Sequence, residues 1–303
     1  MLLEISAAFS AVADDDNEIS RRTISESEIK TLHRLALEDL WSFDTVNMED
    51  DLKTWKSEDY YEAKKGLFVL LCFLGQTLNV VRNDLIKTLT IELASTEVGC
   101  FLSLQKIIHN RHVEAWQRYK ALTLEGVIRV PSFEENVSIS SILEENTVCI
   151  WNWLDEQVTL GERLAALGAS THIILRSIRA LIVSTIEGTN LRLNGLRKML
   201  SLVARDLEIQ TSFAIRLFRG LDTRPSRKQI NRTILEAVRI EKALATDMLC
   251  MNDLSRGDNQ ITFESLHSDI ELASKRFLEC LGYNVEDSVS NPFCMISQTA
   301  SNV

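Results

Sequence analysis

Proline and glycine are scarce in this chain of 303 residues, with three prolines (Pro131, Pro225 and Pro292) and eleven glycines. Proline removes a backbone donor and glycine costs conformational entropy inside a helix, so their scarcity leaves long stretches free to be helical. No two of the six cysteines (Cys72, Cys100, Cys149, Cys250, Cys280 and Cys294) form a C-x-x-C pair. Several sit inside apolar helical pattern, where cysteine behaves as a small hydrophobe, which excludes a disulfide framework and predicts a reducing, cytoplasmic setting. No apolar run reaches the ~20 residues a bilayer needs. The longest, 66–81, is broken by Gln76, Thr77 and Asn79 and reads as a buried helix. The apolar start, Met1 to Ala13, lacks a basic leader, carries Glu4 and runs into Asp14-Asp15-Asp16, so it is not read as a signal peptide. Positive charge is in deficit too. A net charge of −10 repels phosphate backbones and anionic lipid, so neither nucleic acid nor membrane is an expected partner. The cluster Arg224, Arg227, Lys228 and Arg232 reads as a solvated loop and helix start.

What is present is helical periodicity. About 45% apolar residues suits a chain with a sizeable core. Residues 1–26 are acidic and polar and read as a flexible arm, and helical pattern begins near Ser27 and runs toward Trp41. An irregular acidic segment, 42–51, leads to a short helix expected near 53–59. Two long helices follow, from about Tyr60 toward Glu92 and from Ser95 to Leu122, with Val98, Leu102, Gln105, Ile108 and His112 near one face. Residues 125–138 hold Gly126 and Pro131 and read as a loop before helix resumes at 139–156. Further helices are expected at 161–186, 194–219, 226–251 and 262–281, the last stopped by Gly282. With no internal repeat and no linker, one all-α domain of about eight helices is the simplest account.

Several motifs in fixed order resemble the small subunit of class I ribonucleotide reductase. Trp41 and Trp55 flank Asp51 as in the family's W-x13-W segment. Val98-Gly99-Cys100-Phe101, then Gln105, His109, His112 and Glu114, resembles its A-R-C-F…Q…E-x-x-H-x-E helix. Gly161-Glu162-Arg163 resembles its G-E-R, Ala204-Arg205-Asp206 its S-R-D, and Ala237-Val238-Arg239-Ile240-Glu241 its A-V-x-I-E. Ile270-Glu271, Arg276-Phe277, Leu281-Gly282-Tyr283 and Asn291-Pro292-Phe293 continue the order. The resemblance implies a ferritin-like bundle over residues 27–293, followed by a short tail at 294–303, and usually a homodimer.

It also implies a di-iron or dimanganese centre held by four carboxylates and two imidazoles, with a radical tyrosine close by. This chain departs from that set. The family's aspartate falls at Leu78 and the glutamate of the first E-x-x-H at His109, while its histidine is retained as His112. The next glutamate falls at Thr171, or at His172 if the register slips by one. The last E-x-x-H becomes Leu207 and Gln210, and the radical tyrosine becomes Trp116. No expected carboxylate remains, so no metal cofactor and no family radical chemistry are expected. Glu114 and Glu208 lie nearby in sequence, but helical rotation directs them elsewhere.

Two groupings stay open. Trp41, Asp206 and His112 match the family's radical-relay trio, or they pin helices as a buried hydrogen-bonded set. His109, His112 and His172 are a weaker candidate for a zinc-like site, since positions three apart on a helix share a face. Family members usually continue past N-P-F with a tail that docks on the large subunit. Here Val303 lies ten residues after Phe293, so tail docking is not expected.

The leading functional expectation is a non-catalytic small-subunit paralogue. It would form a homodimer or pair with another small subunit and support an active partner in deoxyribonucleotide synthesis. The alternatives are an active reductase small subunit with an unusual metal or radical site, and a helical bundle turned to another binding role.

Overall fold

A computed structural model describes residues 26–57, 59–93, 95–124, 152–155, 157–189, 191–252 and 261–283, with side chains excluded at 26, 75–83, 123, 124, 251 and 252. All of the arm expected at 1–26 except Glu26, which opens the first helix, lies outside these residues, as do the loop at 125–138, most of the helix expected at 139–156 and the tail at 294–303.

Among the described residues there is no strand. The helices are α1 (Glu26–Glu38), a 3-10 turn (Phe43–Thr45), α2 (Glu49–Lys56), α3 (Tyr61–Leu93), α4 (Thr96–Leu124), α5 (Leu160–His172), α6 (Arg176–Thr189), α7 (Asn194–Arg219), α8 (Arg227–Asn252) and α9 (Phe263–Cys280). The all-α expectation is met. α3 packs along α4, α5 packs along α7, and α3 crosses to α5 and α6, which closes a four-part bundle. α8 and α9 cover the α5–α6 side, while α1 and α2 lie across α4 and α7.

Local chemistry explains most boundaries. α5 opens with a capping box, in which the Thr159 hydroxyl accepts from the Glu162 backbone and the Glu162 carboxylate accepts from the Thr159 backbone. Thr262 and Ser265 do the same for α9. α9 ends at Gly282, whose φ of 90° belongs to glycine's left-handed region. α2 starts four residues before the expected helix, because Glu49, Asp50 and Asp51 favour the positive end of a helix and Lys53 and Lys56 its negative end.

One expected helix is two. The apolar run 161–186 breaks at Ile173–Leu175, where Leu175 has φ of 65°. Glu241 of α8 accepts from the backbone N–H of Leu175 and Ser177, each at 2.7 Å, and from the Ser177 hydroxyl. A carboxylate from another helix therefore caps α6 and holds the break. Burial pushes Glu241 up to about 7 despite these donors and the Arg179 charge. The span Leu160–Thr189 is apolar enough to cross a membrane, but 72% of its most apolar window is buried inside the bundle, so it reads as core. Phe101 of α4 and Phe213 of α7 stack at 4.0 Å between ring centres, which sets the two helices face to face.

Candidate functional site

α4 and α7 carry the chemistry. Along α4 the buried positions Phe101, Gln105, Ile108, His109, His112, Ala115, Trp116 and Tyr119 form one inward stripe. α7 answers with Val203, Asp206, Leu207, Gln210, Thr211 and Phe213, all buried.

At one end Asp206 gathers three partners. Its Oδ2 accepts from Trp41 Nε1 at 2.9 Å and lies 2.8 Å from His112 Nε2, and its Oδ1 accepts from Arg205 at 3.0 Å. Burial pushes the Asp206 carboxyl up, but the His112 and Trp41 hydrogen bonds and the Arg205 charge outweigh it and hold it below the ordinary carboxylate value. The Trp41 and His112 rings stack at 5.8 Å. Arg111 donates to the Trp41 carbonyl at 3.0 Å, and Arg205 reaches back to the Asp39 carbonyl at 2.7 Å. The segment after α1 is thus fastened to α4 and α7 together, and the trio is one connected network.

One turn away, the positions that match the family's metal ligands look different. His109 Nε2 lies 3.0 Å from Gln210 Oε1. Thr171 faces α7, where its hydroxyl pairs with that of Thr211 at 2.7 Å, and Thr211 also donates to the Leu207 carbonyl at 2.8 Å. Leu207 is buried among them. Leu78 lies on α3, in the stretch whose side chains are outside the described residues. Glu114 is exposed beside Arg118 at 3.5 Å, and Glu208 faces the charges of Arg179 and Arg176. Neither turns toward His109.

The grouping of His109, His112 and His172 does not form. Thr171 faces the bundle centre, so the next residue, rotated by about 100°, faces away. His172 stacks instead on Phe277 of α9 at 5.8 Å. Burial first, then the charges of Arg176, Arg179 and Arg276, push His172 down to about 3 and keep its ring neutral. No group of three His, Cys, Asp or Glu side chains among the described residues is placed to share a metal ion. A pair of divalent cations needs several anionic oxygens. A threonine pair, a leucine and an imidazole–amide contact do not supply them, and the residues present do not fit the family's metal pair.

Sequence reasoning missed a second buried network. Tyr119 donates to Asp51 at 2.9 Å and accepts from Trp55 Nε1 at 3.0 Å. The Asp51 oxygens also accept from the backbone N–H of Gly195 and Leu196 at 2.8 Å each, at the start of α7. Any side chain at position 195 would strike Met48 and the Asn47 carbonyl, so glycine lets α2 approach α7 this closely. Asp51 and Trp55 were visible as a motif, whereas Tyr119, near the far end of α4, was not.

Comparison with known proteins places this geometry. Residues 19–285 match the family "Ribonucleotide reductase, small chain". The ribonucleoside-diphosphate reductase small chain of Schizosaccharomyces pombe is 28% identical over 276 residues, covering 89% of this chain and 68% of that protein. The small chain of Variola virus is 25% identical over 292 residues, covering 93% of this chain and 86% of its own. Among solved structures, the Rnr4 homodimer of Saccharomyces cerevisiae superposes with a TM-score of 0.74 at 20% identity, covering 99% of this chain and 95% of that one. Dimanganese(II)-NrdF of Streptococcus sanguinis gives 0.67 at 12% identity, covering 91% and 97%.

Proposed function

The chain belongs to the ribonucleotide reductase small-chain family, and from that premise we propose that it is a non-catalytic small subunit. It pairs with a second, metal-bearing small subunit in the cytoplasm and supports that partner in deoxyribonucleotide synthesis. The observation that carries this reading is the substitution of the donor set: Thr171, Leu207, Gln210 and His109 stand where the family's chemistry needs three carboxylates and an imidazole. Leu207 and the Thr171–Thr211 pair suit a bundle that is stable without metal, because buried carboxylates lacking cations would cost far more than they return. Likeness to a yeast small subunit solved as a homodimer supports pairing through the bundle. The described cysteines are free, in keeping with a reducing compartment.

In this role the residues hold rather than react. Asp206 keeps His112, Trp41 and Arg205 in place, and Asp51 keeps Tyr119 and Trp55 in place, so the bundle face is preset for a partner. The test mixes the full chain with a radical-competent small subunit of the same organism. Native mass spectrometry reads mixed dimers, and reductase turnover with the large subunit reads support. A mixed dimer with raised turnover of the partner is expected. Mixing that yields neither overturns the proposal.

One observation favours a second reading. The Trp41–Asp206–His112 network is complete, as an active member with an unusual radical site would require. Stoichiometric iron or manganese with a tyrosyl or metal-centred radical signal would decide for it.

A further inference from the structure

Five polar atoms in the middle of the bundle have no hydrogen-bond partner among the described residues. They are both amide atoms of Gln105, Nδ1 of His112, Nε1 of Trp116 and Nε2 of Gln210. Their side chains are sealed from outside: Gln105 and His112 are 1% exposed, Trp116 3% and Gln210 0%. Five such atoms left bare in a sealed interior would together cost a large share of a domain's stability. Something therefore satisfies them.

Their placement says what. Positions 105, 109, 112 and 116 step along one face of α4, and steps of three or four residues rise about 4.5–6 Å each. Gln210 joins at the level of His109, which it contacts at 3.0 Å. Steps of that size are about twice a hydrogen-bond length of ~2.8 Å. The five atoms make no direct bond to one another, and the spacing of their side chains along the helix suits one small bridging molecule between neighbours.

The atom types decide between an ion and a neutral molecule. Three of the five atoms are N–H donors: Gln105 Nε2, Gln210 Nε2 and Trp116 Nε1. Donors repel a cation. His112 Nε2 is engaged by the Asp206 carboxylate, which leaves Nδ1 as the ring nitrogen without a partner, and the Gln105 Oε1 in the same column can only accept. A bridging molecule must therefore accept from an indole or amide N–H and donate to an amide oxygen. Water does both. Leu207, one turn before Gln210 on α7, is buried and apolar.

We propose that Gln105, Gln210, His112 and Trp116 bind a short file of ordered water, about two or three molecules, at the place where the family builds its metal centre. The file stands in for the metals as the element that joins α4 to α7 and is a neutral binding site of this chain's own. It does not depend on which partner the chain serves.

Two measurements on the full chain test it. The variants Gln105→Met and Trp116→Phe each remove a partner of the file. If water is bound, each strands its neighbours and lowers the melting temperature by about 2–4 °C. If the column is dry, each relieves an unpaired polar group, and an unchanged or raised melting temperature overturns the proposal. A high-resolution crystal structure of the unaltered chain decides independently of how the variants fold. Water density bridging Trp116 Nε1 and His112 Nδ1 is expected. A metal ion there, or direct side-chain pairing that leaves no room for water, overturns it.

Discussion

The two nitrogens of His112 face two regions of opposite construction. Nε2 looks onto a charged network in which Asp206 is met by His112, Trp41 and Arg205, and Arg205 goes on to Asp39. Nδ1 is buried without a partner, and one turn along α4 a His109–Gln210 contact, with a threonine pair beyond it, stands at the positions of the family's ligands. The contrast follows from what each carboxylate has to face. Asp206 is held by protein donors and remains stable without any cofactor. The ligand carboxylates would be held only by cations, and without cations several of them in one sealed cavity would repel each other and be poorly solvated. Losing metal therefore removes the reason for one set and leaves the reason for the other untouched.

The contrast breaks most severely at Asp206→Ala. That change leaves His112, Trp41 and Arg205 without their shared acceptor in a buried site, and loses about 3–5 kcal/mol by urea denaturation. A loss below about 1 kcal/mol would mean that the network does not hold the helices. Next comes the reverse experiment on the neutral side. Leu207→Glu returns a carboxyl to a buried position, and burial raises its pKa above the unfolded value. Stability is then retained below pH ~4, where folded and unfolded forms are both protonated, and is lost as pH rises through the folded value. The variant should unfold more readily at pH 8 than at pH 5, by about 2–4 kcal/mol, and equal loss at both would show that the site is wet enough to solvate the charge.

His172 belongs to neither region and serves as a control on pH. Its folded value of about 3 lies below the ordinary 6.5, so its neutral ring stabilises the fold above 6.5, and that contribution is lost as pH falls toward 3. His172→Gln should flatten stability against pH across this window, and an unchanged slope would assign acid sensitivity to other groups. The smallest effect is expected at Thr211→Val, which removes one hydroxyl of the Thr171 pair. A loss of about 1 kcal/mol in urea with unchanged slope would place that pair among ordinary buried hydrogen bonds.

Helices and their order were readable in the sequence because apolar spacing and end signals are local. α7 runs from Asn194 to Arg219 as its periodicity and Gly220 imply. The break at Ile173–Leu175 was not readable, because the group that holds it, Glu241, is 66 residues from the Leu175 it caps. α2 was displaced because its acidic first turn looked irregular until set against helix polarity. Motif spacing could place Thr171, Leu207, Gln210 and His109 at the family's ligand positions. It could not say that Thr171 meets Thr211 or that His172 turns to Phe277, since those pairings depend on rotation between helices packed at long range. Tyr119 gave no signal either, being one more aromatic on an apolar stripe.

The most direct test of the central claim, that this bundle stands without the family's metal pair, is metal content. The full chain would be reconstituted anaerobically with iron and with manganese, desalted, and measured by elemental mass spectrometry beside its circular dichroism. A helical protein with metal near zero per chain is the predicted result. About two ions per chain, the family's complement, would contradict it.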